Sequence, residues 1–184
     1  LGSETTTGSS VSFTYLLLEP CTYFAIVSSF PAPQSIAFTL NLSFVPLPTT
    51  TLSWYNLQWP PTATVFANQN ATVYAQCWES GVTEASGPGT GIECWIGYSS
   101  DPTNPNTWTN WIPASYNYGV DPNNNDEYQA SLGAAQGLAP GTYYFASRFR
   151  YLSGPFTYGG FNGGAWDGIN NVSGVLKVNA VPPA

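Results

Sequence analysis

Hydrolysis of a glycosidic bond needs two carboxylates on facing elements, and Glu79, Glu93, Asp126, Glu127 and Asp167 are the pool this sequence offers. Spacing alone does not pair them, and isolated carboxylates on a β surface are more often solvated than catalytic. The 184 residues contain no histidine. That removes the commonest general base, the usual zinc ligand and every Ser-His-Asp or Cys-His arrangement. The expectation is a protein that is not an enzyme.

The run Asp121-Pro-Asn-Asn-Asn-Asp-Glu127 sets oxygen-bearing side chains at Asp121, Asn123 and Asn125, a spacing found in hard-cation loops such as those for calcium. It lacks the turn glycine and the distal bidentate Glu of an EF-hand, and Asn/Asp-rich turns are common without metal. The plain turn is the preferred reading, so neither a metal nor a cofactor is expected.

Aromatic side chains offer a third chemistry, stacking on sugar faces beside amide partners. Trp108, Trp111, Tyr158, Phe161 and Trp166 lie in or next to Gly- and Asn-rich segments where exposure is plausible. Against this stands the reading in which the same rings fill the core or cover its rim. Asn41, Asn70 and Asn171 head Asn-x-Ser/Thr sequons, triplets that also arise by chance in an Asn/Thr-rich chain.

Three cysteines are present. Cys77 and Cys94 lie in two strand-like runs joined by the turn-rich SGVTEASGPGTG segment. If those runs pair as neighbours, an oxidising compartment would close a disulfide between them. The alternative is two small buried thiols. Cys21 is left over, as a buried thiol or a bond to another chain.

The elements that would carry these residues are strands. Pro and Gly recur every few residues, and no apolar pattern of period 3.6 lasts beyond a turn or so, whereas period 2 is everywhere. Ile36, Phe38, Leu40, Leu42 and Phe44 alternate with small polar residues, and Val11, Phe13 and Tyr15 do the same. Cys21 to Val27 is a further β run. After the PLPTTT linker the composition shifts toward Trp, Tyr, Asn and Gly. Strands are expected over Leu52–Trp59, Ala71–Glu79, Gly91–Tyr98, Trp111–Asn117, Glu127–Leu132, Thr142–Tyr151 and Gly174–Val178. The connections Ser99–Asn110 and Val120–Asp126 are expected as surface loops.

Charged residues make up 7% of the chain, and the formal charge is −7 with three cations, Arg148, Arg150 and Lys177. Nucleic acid is excluded as a partner because the positive surface it requires is missing. A surface of hydroxyls and amides tolerates salt and pH changes and repels copies of itself weakly. No apolar stretch approaches the ~18 residues of a membrane span. The start, Leu-Gly-Ser-Glu, has no basic or apolar leader, and the expectation is a secreted chain whose leader has been removed.

The segment DEYQASLGAAQGLAPGTYYFASRFRY, with SWYNLQWP before it and WDGINNVSGVLKVN after it, resembles the Ig-like or fibronectin-like modules of secreted and cell-surface prokaryotic proteins. In such modules a Leu-x-Pro-Gly-Thr-Tyr-Tyr run enters a late central strand, matching Leu138, Pro140, Gly141, Thr142, Tyr143 and Tyr144. The resemblance covers roughly residues 51 to 180. It implies a sandwich fold and a secreted habit but no chemistry.

The expectation is thus an all-β protein: an immunoglobulin-like antiparallel β-sandwich over residues 51–184, with additional N-terminal strands or an extended arm over residues 1–50. Functionally, the arm suggests a structural subunit of an extracellular filament, with Val11, Phe13 and Tyr15 completing a sheet edge in a neighbouring copy. The alternative is a secreted carbohydrate-binding or adhesion module using Trp108, Trp111, Tyr158 and Trp166.

Overall fold

A computed structural model describes residues 50–120 and 124–183. The candidates Val11, Phe13, Tyr15, Cys21, Asn41, Asp121 and Asn123 lie outside the described residues, as does the proposed arm.

The described residues form eleven strands and two short 3₁₀ turns. The strands are β1 Trp54–Trp59, β2 Thr62–Phe66, β3 Asn70–Trp78, β4 Ile92–Ser99, β5 Asn110–Pro113 and β6 Ser115–Tyr116. They continue with β7 Asp126–Gly133, β8 Gly141–Tyr151, β9 Thr157–Gly160, β10 Gly164–Ala165 and β11 Gly174–Asn179. All seven expected strands are present, the Trp111–Asn117 run being split into β5 and β6 at Ala114. Strands β2, β9 and β10 were not expected, because Thr, Ala and Gly fill them in place of a large apolar alternation.

Two sheets face each other as a β-sandwich. One is four-stranded in the order β1-β3-β7-β6. The other is seven-stranded and is organised on β8, whose one edge carries β4 and then β5. Its other edge is shared: Gly141–Phe145 pair with β11, and Ser147–Phe149 pair with β9. The chain passes from the first sheet to the second across Trp59-Pro60, a cis peptide, and β2 then runs parallel to β11. That one parallel ladder makes the larger sheet mixed, within the expected all-β sandwich.

The interior is built from the inward halves of alternating strands. Leu57, Val73, Ala75 and Leu132 of the smaller sheet meet Ile96, Phe145, Phe149 and Leu176 of the larger, and all eight are fully buried. Each large apolar side chain among them contributes ~2 kcal/mol relative to exposure. Tyr128 and Tyr55 close against Phe149 at ring separations of 6.1 and 6.3 Å. The sheets are also tied at one edge, where Ser147 Oγ donates to the Asn56 carbonyl at 2.8 Å. There a Cβ on Gly159 would lie 2.6 Å from the Asn56 carbonyl carbon, so only glycine permits the approach.

The disulfide expectation is corrected. Cys77 is on β3 of one sheet and Cys94 on β4 of the other, so the two strands are not hydrogen-bonded neighbours, and both residues are free, buried thiols. The expected loop 99–110 is corrected in part, since it folds through a 3₁₀ turn at Pro105–Thr107 that buries Pro105 and Trp108. Among the described residues, no helix is long and apolar enough to cross a membrane.

Candidate functional site

The outer face of the seven-stranded sheet is roofed by aromatic rings. On β4, Cys94, Ile96 and Tyr98 point into the core, so Glu93, Trp95 and Gly97 point out. On β8 the same alternation sends Phe145 and Phe149 inward and Ala146, Arg148 and Arg150 outward. The ladders align Trp95 with Arg148, Arg148 with Tyr158, and Gly97 with Trp111.

Because Gly97 has no side chain, the Trp111 ring lies directly on it, and a Cβ there would be 2.6 Å from Cε3 of that ring. Trp111 is further held by its Nε1, which donates to the Trp108 carbonyl at 3.0 Å, and by the Trp108 and Tyr158 rings at 6.2 and 5.8 Å. The Arg148 guanidinium is enclosed by three rings, its Cζ standing 4.1 Å from the Phe156 centroid, 4.2 Å from Trp111 and 4.8 Å from Trp95. Such contacts satisfy a cation with π faces in place of an acid. The neighbouring Arg150 takes the acid instead, pairing with Glu93. Burial lowers the affinity of Arg148 for its proton, and its Nε is buried without a hydrogen-bond partner.

The four rings singled out in the sequence therefore meet on one face but divide into two roles. Trp108, at 8% exposure, and Trp111 support the roof. Tyr158 and Trp166 border a groove of about 250 Å³, whose wall also includes Phe156, Asn104, Asn106 and Tyr55. The groove lies between the 99–110 loop and the β9–β10 hairpin, with two amides beside four aromatic rings. Phe161, also considered from the sequence, packs instead against the core.

Local structure fixes Trp166. Its backbone N–H donates to the Tyr158 carbonyl at 2.8 Å and its indole Nε1 to Ser173 Oγ at 3.1 Å. The following loop is organised by Asp167, whose Oδ1 accepts from the backbone N–H groups of Ile169, Asn170 and Asn171, each at 2.8 Å. These bonds hold its carboxyl below the usual carboxylate range. Gly168, at φ +74°, packs its backbone on the Trp166 ring, a conformation that L side chains rarely adopt.

Three further carboxylates of the candidate pool are structurally engaged. Glu79 accepts from the backbone N–H and hydroxyl of Ser53 at 2.7 and 2.8 Å. Glu127 accepts from the side-chain amides of Gln76 and Asn117, each at 2.8 Å. Asp126, 1% exposed, accepts from the Gly89 N–H at 2.6 Å and from the Tyr128 hydroxyl at 3.3 Å. Burial pushes its carboxyl up, and one of its oxygens has no partner. Among the described residues, no three His, Cys, Asp or Glu side chains cluster as metal ligands. The sequon Asn70 opens β3, with its Oδ1 accepting from the Ala135 N–H at 2.9 Å, and Asn171 lies half-buried in the Asp167 loop.

Sequence reasoning missed Trp95, Arg148, Phe156 and the amides Asn104 and Asn106. Trp95 and Arg148 were legible in principle, since each alternates with core residues on its own strand. The amides were not, because their position depends on how the loop folds back. No protein-family model and no curated protein matches this chain.

Proposed function

We propose that this chain is a secreted, non-enzymatic binding module of immunoglobulin-like type that takes glycan in the groove between the 99–110 loop and the β9–β10 hairpin. The observation that carries this reading is the convergence of Phe156, Tyr158 and Trp166 on the amides Asn104 and Asn106. Aromatic faces stack on the C–H faces of pyranose rings, while amides exchange hydrogen bonds with hydroxyls, and a few placed polar groups then set orientation. The immunoglobulin-like part is supported by the strand orders β1-β3-β7-β6 and β5-β4-β8-β11-β2, with the first strand divided between sheets.

Affinity electrophoresis through gels containing hydroxyethylcellulose, xylan, laminarin or alginate tests the reading. The protein is expected to be retarded by at least one, and Trp166→Ala or Tyr158→Ala to abolish that retardation with unchanged far-ultraviolet circular dichroism and urea midpoint. Free migration of the wild type in every gel would sink it.

A different observation favours a second reading, a filament subunit joined by strand complementation. Among the described residues β2 pairs only with β11, and Phe66 at its end is an exposed apolar side chain (38%). An unpaired edge with an apolar side chain exposed on it accepts a strand from another chain. Val11, Phe13 and Tyr15 of a neighbouring copy are the proposed donors. Electron microscopy should then reveal fibres that vanish when residues 1–18 are deleted. Fibres that persist after the deletion would remove the arm from the joint.

A further inference from the structure

Trp54 and Trp78 are direct cross-strand partners in the β1–β3 ladder. Leu57, Ala75 and Cys77 of the same strands are fully buried in the core and Tyr55 packs against it, so both indoles stand on the outer face of the four-stranded sheet, each half-buried. With Asn124 and Asn125 they line a groove of about 320 Å³. The Trp54 indole N–H donates to the Gly163 carbonyl at 2.9 Å, which fixes that ring. The Trp78 indole N–H and the side-chain amides of Asn124 and Asn125 have no partner among the described residues. The groove therefore offers aromatic faces and N–H donors, and no charge.

Beyond β11 the chain runs Ala180-Val181-Pro182-Pro183 outside any strand, and Val181, Pro182 and Pro183 are all exposed. Proline fixes φ near −65° and drives the residue before it away from the helical region, so covalent geometry alone holds this segment close to polyproline II. Its prolines present apolar rings and bare carbonyls and donate no hydrogen bond. Aromatic-lined grooves receive such segments at low entropic cost, because the extended form exists before binding.

Segment and groove stand at opposite ends of the sandwich. Asn179, the last residue of β11, pairs with Phe66 and accepts from the Ala67 N–H at 2.9 Å. A short turn leads from there into Asn70, the first residue of β3. Trp78 closes that nine-residue strand, roughly 27 Å away at ~3.4 Å per residue. Ala180–Pro183 span only about 12 Å as polyproline II. The segment does not reach the groove of its own chain.

We propose that the Trp54–Trp78 groove receives the Val181–Pro183 segment of a second copy. Each copy then offers one segment and one groove at opposite ends, so the contact is heterologous and repeats head to tail. It depends neither on the glycan reading of the first groove nor on the N-terminal arm.

The full chain carrying Pro182→Gly and Pro183→Gly leaves its groove open, and it is isotope-labelled at the tryptophan indole nitrogens for nuclear magnetic resonance. Titration with a synthetic peptide of the Asn179–Ala184 sequence is expected to shift the Trp78 indole resonance, identified by its loss in Trp78→Phe, and to leave that of Trp166 in place. A peptide with glycine at both proline positions should bind roughly tenfold more weakly, having lost ring contact and preorganisation together. Light scattering reads the arrangement. An equimolar mixture of Trp78→Ala with the double-glycine variant should be heavier than either alone, because one keeps the segment and the other the groove. Trp78→Leu replaces the alanine variant if that one does not fold. An unmoved Trp78 resonance would overturn the proposal, as would a mixture no heavier than its components. A Trp78 shift produced by cellohexaose and not by the peptide would give this groove to glycan and overturn it as well.

Discussion

The Trp111 ring lies on Gly97, its cross-strand partner, so closely that a Cβ on the glycine would come within 2.6 Å of Cε3 and Cζ3 and 2.7 Å of Cη2. This contact sets the height of the whole aromatic roof, because Arg148, Trp108 and Tyr158 are stacked on or beside the same indole. Gly97→Ala should lift Trp111 and cost ~1–3 kcal/mol, the range for an overpacked site. Urea denaturation followed by tryptophan fluorescence measures the loss, and near-ultraviolet circular dichroism should lose part of its aromatic signal in the folded state. Wild-type stability and spectrum in the alanine variant would show that the ring does not rest there.

Arg148 poses a question of sign, since its guanidinium gains π contacts from three rings but leaves a buried Nε without a partner. Cation–π contacts of this kind contribute ~0.5–2 kcal/mol each way from exposed to desolvated sites, and an unpaired buried donor costs ~1–3 kcal/mol. At the exposed end of that range the three ring contacts together come to about the cost of the one unpaired donor. Arg148→Met, which keeps an unbranched apolar stem among the rings, is therefore expected to change stability by less than about 1 kcal/mol. Arg148→Ala removes the stem as well and should destabilise by ~2 kcal/mol through lost packing. Equal losses in both variants, measured by chemical denaturation, would mean that charge rather than packing dominates.

Much of this arrangement was legible from period 2 alone. The seven expected strands fall where alternation of Val, Ile, Leu, Phe and Tyr marks them, because one face of each is buried in the interior. Strands β2 and β9 escaped, since Thr62, Thr64, Gly159 and Gly160 earn their pairing from neighbours and not from their own side chains. Of the five rings that the sequence singles out, Phe161 packs against the core and Trp108 is buried, and which of the others support the roof and which line the groove depends on Gly97 and on the fold of the 99–110 loop. The cysteines misled because proximity in sequence suggested adjacent strands, whereas the intervening turn carries the chain from one sheet to the other.

The buried carboxyl of Asp126 gives the fold a pH dependence with a definite direction. Burial raises its affinity for a proton above that in the unfolded chain, where a carboxyl titrates near pH ~4. The native state therefore binds more protons over that interval, and stability from this group is fully present below the unfolded value and lost as pH rises through the folded one. The urea midpoint should fall between pH 4.5 and pH 8, and Asp126→Asn, which keeps an acceptor for the Gly89 N–H, should flatten that slope. Asp167 acts in the opposite sense, its depressed carboxyl giving stability that is lost only as pH falls below the ordinary carboxylate range. A midpoint that rises from pH 4.5 to pH 8 in the wild type would refute the assignment to Asp126.

Cys77 and Cys94 offer a test of the interior itself, because they face it from opposite sheets at 0% and 4% exposure. Burial raises both thiols well above their ordinary range, with the Cys94, Asp126 and Glu79 charges adding to the effect at Cys77 and Arg148 opposing it at Cys94. The thiolate is the reactive form, so both low thiolate content and closed access slow alkylation. At pH 8 iodoacetamide should label the peptides carrying Cys77 and Cys94 roughly a hundredfold more slowly in the native protein than in guanidinium, since reaction has to wait for an opening of the sandwich. The rate should rise in Gly97→Ala, whose loosened roof lies over the strand that carries Cys94. Rapid native labelling of either cysteine would contradict its placement in the core, and resistance to labelling even in guanidinium, relieved by reductant, would show that the two sulfurs are joined.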